Sequence, residues 1–511
     1  MQQTPESNHH ISHDSNKFDG IKSLSIGLVL FGVLVRLSQY FDNRSLWFDE
    51  ASLALNIVNR SYLELLGVLD HDQAAPPIFL WIERLFVQVF GNSEYSLRLF
   101  PLISGMVALF LFYRMATLLT SGITTVVAIA LFASLRYIVY YAAEVKQYAT
   151  DLMLALLIFL VLFSLRDQIL KPRQILFLSL LGSVCIWTSH PAIFVLVGIE
   201  MANLLGISTQ KLKAILLNRI PIYGTWLSSF ILLYLFTIKR TEANESLLSY
   251  WDGSYPDSLF DLPWLIDSLG RFFYRPLGFL GITDGIAIAA FICGCIFVYQ
   301  QNKFNFLLLN APLLITLLAS FLHKYPFRER LVLFLAPFAI LIIATGISTL
   351  LTEPKGRYRS FKLVGISMAV ALVGFPLFQA SQSMISPHRF DEIRPVIEYV
   401  KSHQQAGDTL YIFPETRRQF LYYAPKHGYS QKDYIFGNYD VPSGRAVSNE
   451  NRQNYKQEIE QLRGRKRVWF LLARSASESE KTLLNDLNQV GKKLDVFKQP
   501  DAIACLYDLS L

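Results

Sequence analysis

Charged residues and cysteines are scarce in this sequence of 511 residues. Asp, Glu, Lys and Arg make up 17% of the chain, whereas apolar residues make up 52%. An ordinary soluble domain carries about 25% charged residues, so this composition is too apolar for an ordinary soluble protein and favours a membrane protein. The chain contains only 4 cysteines, and their positions form neither a disulfide framework nor a zinc-binding spacing.

Signals for nucleotide and nucleic-acid binding are also missing. The C-terminal part of the chain contains no Gly-rich phosphate-binding loop. The formal net charge is +7, but the basic residues lie in short clusters between apolar runs, which is the pattern of membrane topology. We therefore expect membrane lipid, and no nucleic acid, among the partners of this protein.

Long apolar runs occupy most of the chain. A helix needs about 20 mostly apolar residues to cross the hydrocarbon core of a membrane. Eleven runs near that length predict a polytopic α-helical transmembrane domain over 21–380. The predicted spans are 22–41, 97–118, 121–141, 149–165, 174–189, 191–207, 219–237, 282–300, 304–322, 331–351 and 361–380.

The distribution of Lys and Arg predicts the orientation of these spans. The polar segment 1–20 is predicted to be a cytoplasmic tail, because no signal-cleavage site follows the first apolar run. With the N-terminus inside, the basic residues of the short loops fall consistently on the inner side. An odd number of spans then places residues 381–511 outside, in the periplasm if the host is a Gram-negative bacterium with this protein in its plasma membrane.

The segment 381–511 has the composition of a soluble domain. Helix-like stretches at 391–404, 451–463 and 478–490 alternate with strand-like stretches. The strand-like stretches are 409–413, 467–473, 493–497 and 502–509. This alternation predicts a small α/β domain.

Two long loops, 42–96 and 238–281, are predicted on the outer side. Long loops tend to carry function. Within the first loop, 50–68 is predicted to be a helix. The segment 76–90 is apolar but contains Glu83 and Arg84, which predicts an amphipathic helix along the membrane interface rather than a further span.

The sequence Trp47-Phe48-Asp49-Glu50 immediately follows the first predicted span. Adjacent carboxylates at a membrane surface are costly to desolvate, which favours a functional role. The structural alternative is a helix start, in which Asp49 caps the following helix and Glu50 interacts with its positive end. The acidic pair alone leaves both interpretations open.

The order of motifs along the outer loops resembles a known family. After Asp49-Glu50 come H-D-x-x-x-P-P at 71–77, E-Y-S-L-R-L-F-P at 94–101 and Y-Y-x-x-E-x-K-x-Y at 140–148, with F-R-E-R-L-V-L at 327–333 in support. This order resembles the GT-C superfamily of membrane glycosyltransferases. It is most similar to bacterial relatives of dolichyl-phosphate-mannose protein mannosyltransferases and aminoarabinose transferases, which are glycosyltransferase family 39-like.

The resemblance implies a reaction in which a sugar passes from a polyprenyl phosphate to an acceptor on the outer face, with inversion. Acceptors among relatives include glycans, lipids and proteins. Asp49 matches the catalytic acidic position and is assigned as the base that deprotonates the acceptor hydroxyl, with Glu50 beside it. The substrate-binding residues are predicted to be His71, Asp72, Glu144, Lys146, Tyr148, Arg328 and Arg330.

Several of these assignments have alternatives. Lys146 stands where many relatives carry arginine, so it keeps the positive charge but lacks the planar fork that binds phosphate. Arg328 and Arg330 either bind the same phosphate or anchor the chain at the lipid head groups. His71 either binds the substrate or is a hydrogen-bonded structural residue. Divalent-metal use stays open, because relatives differ in it and Glu50 is the one residue assigned to such a metal.

Three other functions compete with this interpretation. A secondary transporter would place its charges at the bilayer midplane, whereas the acidic residues here cluster in outer loops. A non-catalytic envelope scaffold would tolerate the loss of Asp49. A polysaccharide polymerase or ligase would concentrate its charged motifs in a large outer loop late in the chain.

Overall fold

The structure is a computed structural model that describes residues 8–241, 251–352, 359–438, 449–473 and 477–510. Residues 242–250 of the predicted loop 238–281 therefore lie outside the described residues. The chain forms two compact units. One, termed the helical unit, comprises 1–42, 62–91 and 95–387, and the other, termed the sheet unit, comprises 43–61, 92–94 and 388–511.

The helical unit is built from apolar helices. Within the described ranges, seven helices are long and apolar enough to cross a membrane, and a bent pair, Gly122–Ser134 with Arg136–Ala143, adds one more candidate. Tyr148–Ser164, Pro172–Thr188 and Ala192–Leu205 are apolar but shorter. Each predicted span overlaps one of these helices, so a polytopic α-helical protein is confirmed, while the number of spans stays a prediction.

The principal α-helices of this unit begin and end as follows. They are Asn8–Phe41, Pro77–Phe90, Glu94–Leu119, Gly122–Ser134, Arg136–Tyr140, Tyr148–Ser164, Pro172–Thr188, Ala192–Leu205, Thr209–Leu233, Leu262–Phe272, Ile282–Gln301, Lys303–Phe321, Ala336–Thr352, Arg359–Ala369 and Phe375–Ile385.

The helix Ala336–Thr352 lies at the centre of the helical unit. The apolar stretch that contains it is 94% buried, which explains why its sequence is apolar on every side. Its Gly346 packs directly on the helix Ile282–Gln301: a Cβ atom at Gly346 would lie 2.0 Å from the carbonyl oxygen of Ala290. Small residues of this kind allow two membrane helices to approach closely.

The first outer loop differs in part from its prediction. The predicted helix at 76–90 is confirmed as Pro77–Phe90. The predicted helix over 50–68 is only partly right. A helix begins at Phe48 but ends at Asn59, because Arg60 is extended (φ −104°, ψ 147°), and Glu64–Leu66 then forms a short 3₁₀ turn.

The sheet unit contains a five-stranded sheet. Its strands are β1 (Thr409–Ile412), β2 (Ile435–Phe436), β3 (Val468–Ala473), β4 (Lys492–Gln499) and β5 (Ala502–Asp508), in the order β2-β1-β3-β5-β4. β1 pairs in parallel with β2 and β3, and β5 pairs antiparallel with β3 and β4. β3 is buried along its whole length, consistent with its continuous apolar sequence.

Helices surround this sheet and complete the predicted α/β domain. They are Ile393–His403, Arg417–Tyr423, Asn449–Glu460 and Ser477–Val490. The sequence analysis predicted three of these helices and four of the strands, but not Arg417–Tyr423 or β2. The sheet unit also includes the helix Phe48–Asn59, which the sequence analysis assigned to an outer loop of the transmembrane domain. This helix contacts Arg417–Tyr423 and buries residues 50–57 almost completely.

Candidate functional site

The acidic pair Asp49-Glu50 lies in the first turn of the helix Phe48–Asn59, and its two carboxylates differ in exposure. Trp47 is the extended residue that precedes the helix. The Glu50 side chain is fully buried, and its carboxylate accepts a hydrogen bond from the backbone N–H of Trp47 at 3.4 Å. This is the geometry of a residue that stabilises a helix start. Asp49 is only partly buried and lies near the positive end of the helix.

Arg418 of the sheet unit lies beside the same helical turn. Its guanidinium is 4.5 Å from the centre of the Phe48 ring, and its Nη1 is 3.4 Å from Oγ of Ser52. Phe48 and Ser52 share one face of the helix, since residues four apart are neighbours on its surface, and Asp49 lies between them in the sequence. The sequence analysis did not identify Arg418, since no motif connects it with Asp49.

In the helical unit, Gln73 joins two of the predicted motifs. Lys146 Nζ donates a hydrogen bond to Gln73 Oε1 at 2.6 Å, and both side chains are buried. Gln73 Nε2 in turn donates to the carbonyl oxygen of His71 at 3.1 Å and lies 3.5 Å from that of Asp72. The H-D-x-x-x-P-P segment and the Y-Y-x-x-E-x-K-x-Y segment therefore meet at this glutamine.

The backbone at His71 and Asp72 is strained. Both residues have positive φ, 64° for His71 and 54° for Asp72, a region that residues other than glycine rarely adopt. Such strain costs about 1–3 kcal/mol per residue and persists where surrounding contacts impose it. The amide of Gln73 supplies part of those contacts. Gln73 occupies an unspecified position of its motif, which is why the sequence analysis did not select it.

Tyr148, on the same chain segment as Lys146, lies near Arg330. The Arg330 guanidinium is 5.7 Å from the centre of the Tyr148 ring, and that ring packs edge-on against Tyr141 at 5.0 Å. The Tyr141 hydroxyl is within electrostatic range of both Glu144 and Arg330. The structure thus brings Arg330 to Tyr148 and Tyr141, on the chain segment 140–148 that also carries Glu144 and Lys146.

Arg328 has different partners from Arg330. It donates to Asp267 Oδ2 at 2.8 Å and to the carbonyl oxygen of Gly253 at 3.1 Å. Burial raises the pKa of the Asp267 carboxyl, but hydrogen bonds and charges from Arg328 and Arg271 outweigh burial and hold this pKa below its ordinary value. Arg328 therefore connects the segment that follows the helix Lys303–Phe321 to the helix Leu262–Phe272.

A metal site needs several His, Cys, Asp or Glu side chains placed together. Within those ranges, no group of three or more His, Cys, Asp or Glu side chains is placed to hold a metal ion. Glu50, the residue assigned to a divalent metal, uses its carboxylate at the helix start. The described residues therefore do not supply the donor set of a metal site around Glu50.

The chain resembles known proteins in both sequence and structure. A sequence profile of the family described as dolichyl-phosphate-mannose-protein mannosyltransferase matches residues 74–238, the segment that contains Lys146. No curated protein sequence matches the chain.

Two solved structures resemble this one over nearly the whole chain. ArnT from Cupriavidus metallidurans bound to undecaprenyl phosphate aligns with a TM-score of 0.51 and 10% identity, covering 95% of this chain and 98% of that one. ArnT in the apo state aligns with a TM-score of 0.50 and 11% identity, covering 96% and 98%. At this identity the comparison establishes a common fold.

Proposed function

We propose that this multi-pass membrane protein, a member of the GT-C superfamily, is an inverting glycosyltransferase that moves a sugar from a polyprenyl phosphate to an acceptor on the outer face of the membrane. One observation carries the proposal. The matched family segment 74–238 contains Lys146, which is buried and bonded to Gln73, and Tyr148, whose ring lies 5.7 Å from the Arg330 guanidinium. Such cationic side chains can bind a phosphate at the membrane surface.

The acceptor side of the reaction is assigned to Asp49. An acceptor hydroxyl is a poor nucleophile, so a carboxylate takes its proton while the oxygen attacks the anomeric carbon. The partial exposure of Asp49 suits contact with a substrate. Glu50 is fully buried, and we assign it the task of fixing the helix start rather than touching the substrate.

The leaving-group side is assigned to Lys146 and Arg330. As the bond between the anomeric carbon and the phosphate oxygen breaks, that oxygen keeps the electron pair, and the phosphate diester becomes a monoester with one more negative charge. Cations held in place before the reaction stabilise this charge in the transition state. A single displacement of this kind inverts the anomeric configuration.

The remaining assignments complete the proposal. The donor lipid is a polyprenyl phosphate, which is supported by the undecaprenyl phosphate of the ArnT structure with the same fold. The acceptor is a glycan, a lipid or a protein. The positive-inside pattern supports a bacterial plasma membrane protein with its N-terminus in the cytoplasm and residues 381–511 outside.

The test is donor turnover by the full-length protein purified into lipid, with a panel of polyprenyl-phosphate sugars and release of polyprenyl phosphate as the readout. Asp49→Asn should lower turnover by about 10²- to 10⁴-fold, the usual contribution of a general base. Asp284→Asn is the matched control, because Asp284 lies in the first turn of another helix, Ile282–Gln301. Its turnover should equal that of the native chain.

Two results would contradict the proposal. Folded native protein that turns over no donor would favour the transporter or the non-catalytic scaffold. Turnover that is equal in the native chain and in Asp49→Asn would leave a glycosyltransferase but move the base to another residue.

A further inference from the structure

The segment that leads into the Asp49 helix is held by side chains from the C-terminal part of the chain. Glu392 makes the most direct contact with it. One carboxylate oxygen of Glu392 accepts from the backbone N–H of Ser45 at 3.1 Å, and the other accepts from the Ser45 hydroxyl at 2.9 Å. Ser45 is fully buried, and Glu392 is 4% exposed. A carboxylate that accepts two hydrogen bonds without water defines one position for its partner.

The next residue, Leu46, is bound through both of its backbone polar groups. Its N–H donates to the Tyr423 hydroxyl at 2.8 Å, and its carbonyl oxygen accepts from Gln419 Nε2 at 3.1 Å. The Tyr423 hydroxyl then donates to Glu94 at 2.9 Å. Buried backbone groups in an irregular segment need such partners, and here the C-terminal part of the chain provides them.

Arg394 binds the beginning of the same segment. Its Nη2 donates to the carbonyl oxygen of Asn43 at 2.7 Å, and its Nη1 donates to Glu94 at 2.7 Å. Its backbone N–H lies 3.2 Å from the Ser45 hydroxyl. The backbone is therefore held at Asn43, Ser45 and Leu46 before the Asp49 helix begins.

The sequence around Glu392 repeats the sequence around Asp49. Phe390-Asp391-Glu392 matches Phe48-Asp49-Glu50, and the two copies lie together: the rings of Trp47 and Phe390 are 5.7 Å apart, and the Phe48 N–H is 3.5 Å from the Asp391 carboxylate. Asp391 has a positive φ of 53°. The backbone N–H of Glu392 donates to the carbonyl oxygen of Pro500 at 2.9 Å. The second copy is thus anchored to the turn between β4 and β5.

We propose that the C-terminal domain positions the proposed base, with Glu392 as the principal positioning residue for Asp49. This inference rests on the proposed function, in which Asp49 deprotonates the acceptor. Only three residues separate Ser45 from Asp49, so the Glu392–Ser45 bonds determine where the first turn of the helix starts. The domain therefore has a task in the reaction itself, whatever acceptor it meets.

The test compares variants of the full-length protein in lipid by steady-state donor turnover and by amide hydrogen exchange of residues 43–50. Glu392→Ala should lower kcat by about 10- to 100-fold, the effect of a misplacement near 1 Å, while KM for the donor stays within about twofold of the native value. Exchange in 43–50 should become faster. Glu392→Gln should restore most of kcat, because its amide carbonyl accepts from the Ser45 N–H and its amino group donates to the Ser45 hydroxyl.

Two controls keep the inference falsifiable. Glu460→Gln alters a half-exposed carboxylate of the same domain and should change neither readout. Ser45→Ala removes one of the two bonds and serves if Glu392→Ala does not fold. It should lower kcat several-fold with an unchanged donor KM.

Three outcomes overturn the inference. The first is a native kcat in the folded Glu392→Ala or Ser45→Ala variant. The second is a loss of kcat in Glu392→Gln that equals the loss in Glu392→Ala. The third is amide exchange of residues 43–50 in Glu392→Ala that equals exchange in the native chain. If the native chain turns over no donor, the proposed function fails, and the exchange data still decide whether Glu392 fixes this segment. If Asp49 matters and Glu392 does not, the function stands and the positioning role is rejected.

Discussion

Replacing Gln73 by alanine should lower sugar transfer although Gln73 carries no charge. Its Oε1 accepts the 2.6 Å hydrogen bond from Lys146, and its Nε2 binds the backbone of His71. The substitution removes both contacts while leaving Lys146 buried at 4% exposure. The ammonium then loses one of the groups that fix its position beside the proposed phosphate site.

The magnitude follows from the kind of bond that is lost. A hydrogen bond to a charged group contributes about 1.5–3 kcal/mol, and each 1.4 kcal/mol corresponds to roughly a tenfold change in an equilibrium. Lys146 should therefore be held in its position about 10- to 100-fold less strongly. We expect kcat for donor turnover to fall by a factor within that range, because a misplacement near 1 Å costs up to about 100-fold.

A charged replacement of Gln73 distinguishes the effect of misplacing Lys146 from the effect of changing the charge beside it. Gln73→Glu keeps an acceptor for Lys146 but adds a negative charge, so the phosphate of the donor should bind more weakly and KM should rise. Gln88→Ala is the control, since Gln88 is exposed and bonds to Tyr62; its kinetics should match the native chain. A native kcat in Gln73→Ala, or a native KM in Gln73→Glu, would refute the reasoning.

Two further predictions concern the arginines and the helix packing. Arg330→Ala should lower donor turnover by about 10²- to 10³-fold, which is the cost of losing one hydrogen-bond donor in the transition state. Arg328→Ala should lower it at least tenfold less, because Arg328 is paired with Asp267. Equal losses in the same turnover assay would reject this distinction. Gly346→Ala should destabilise the protein by about 1–3 kcal/mol through overpacking, which would be measured as a lower melting temperature in lipid. Gly224→Ala should leave the melting temperature unchanged, since nothing lies within 4 Å of a Cβ atom at Gly224.

The confirmed parts of the sequence analysis depend on local composition. A run of apolar residues partitions into a membrane whatever surrounds it, so all predicted spans overlap helices. The alternation of helix and strand patterns after residue 381 likewise identified the α/β domain. The helix Arg417–Tyr423 escaped prediction because its seven residues are too few for a periodic pattern.

The residues of the candidate site could be predicted from the sequence only through the family resemblance. The motif order selected Lys146, Tyr148 and Arg330, and the structure places Arg330 beside Tyr148 and bonds Lys146 to Gln73. It also grouped Arg328 with Arg330, but the two guanidinium groups have different partners. Spacing along the chain does not report the direction of a side chain, so the sequence alone cannot distinguish the partners of two arginines that lie two positions apart.

The sequence by itself determined that this is a polytopic membrane protein with a terminal α/β domain and a family-like order of polar motifs. Those properties follow from the composition of the chain and from its local periodicity. Only the tertiary structure decided that Gln73 meets Lys146 and that Glu392 binds Ser45, a partner 347 residues away. Contacts at such separations depend on how whole elements pack together, and no local preference of the chain encodes them.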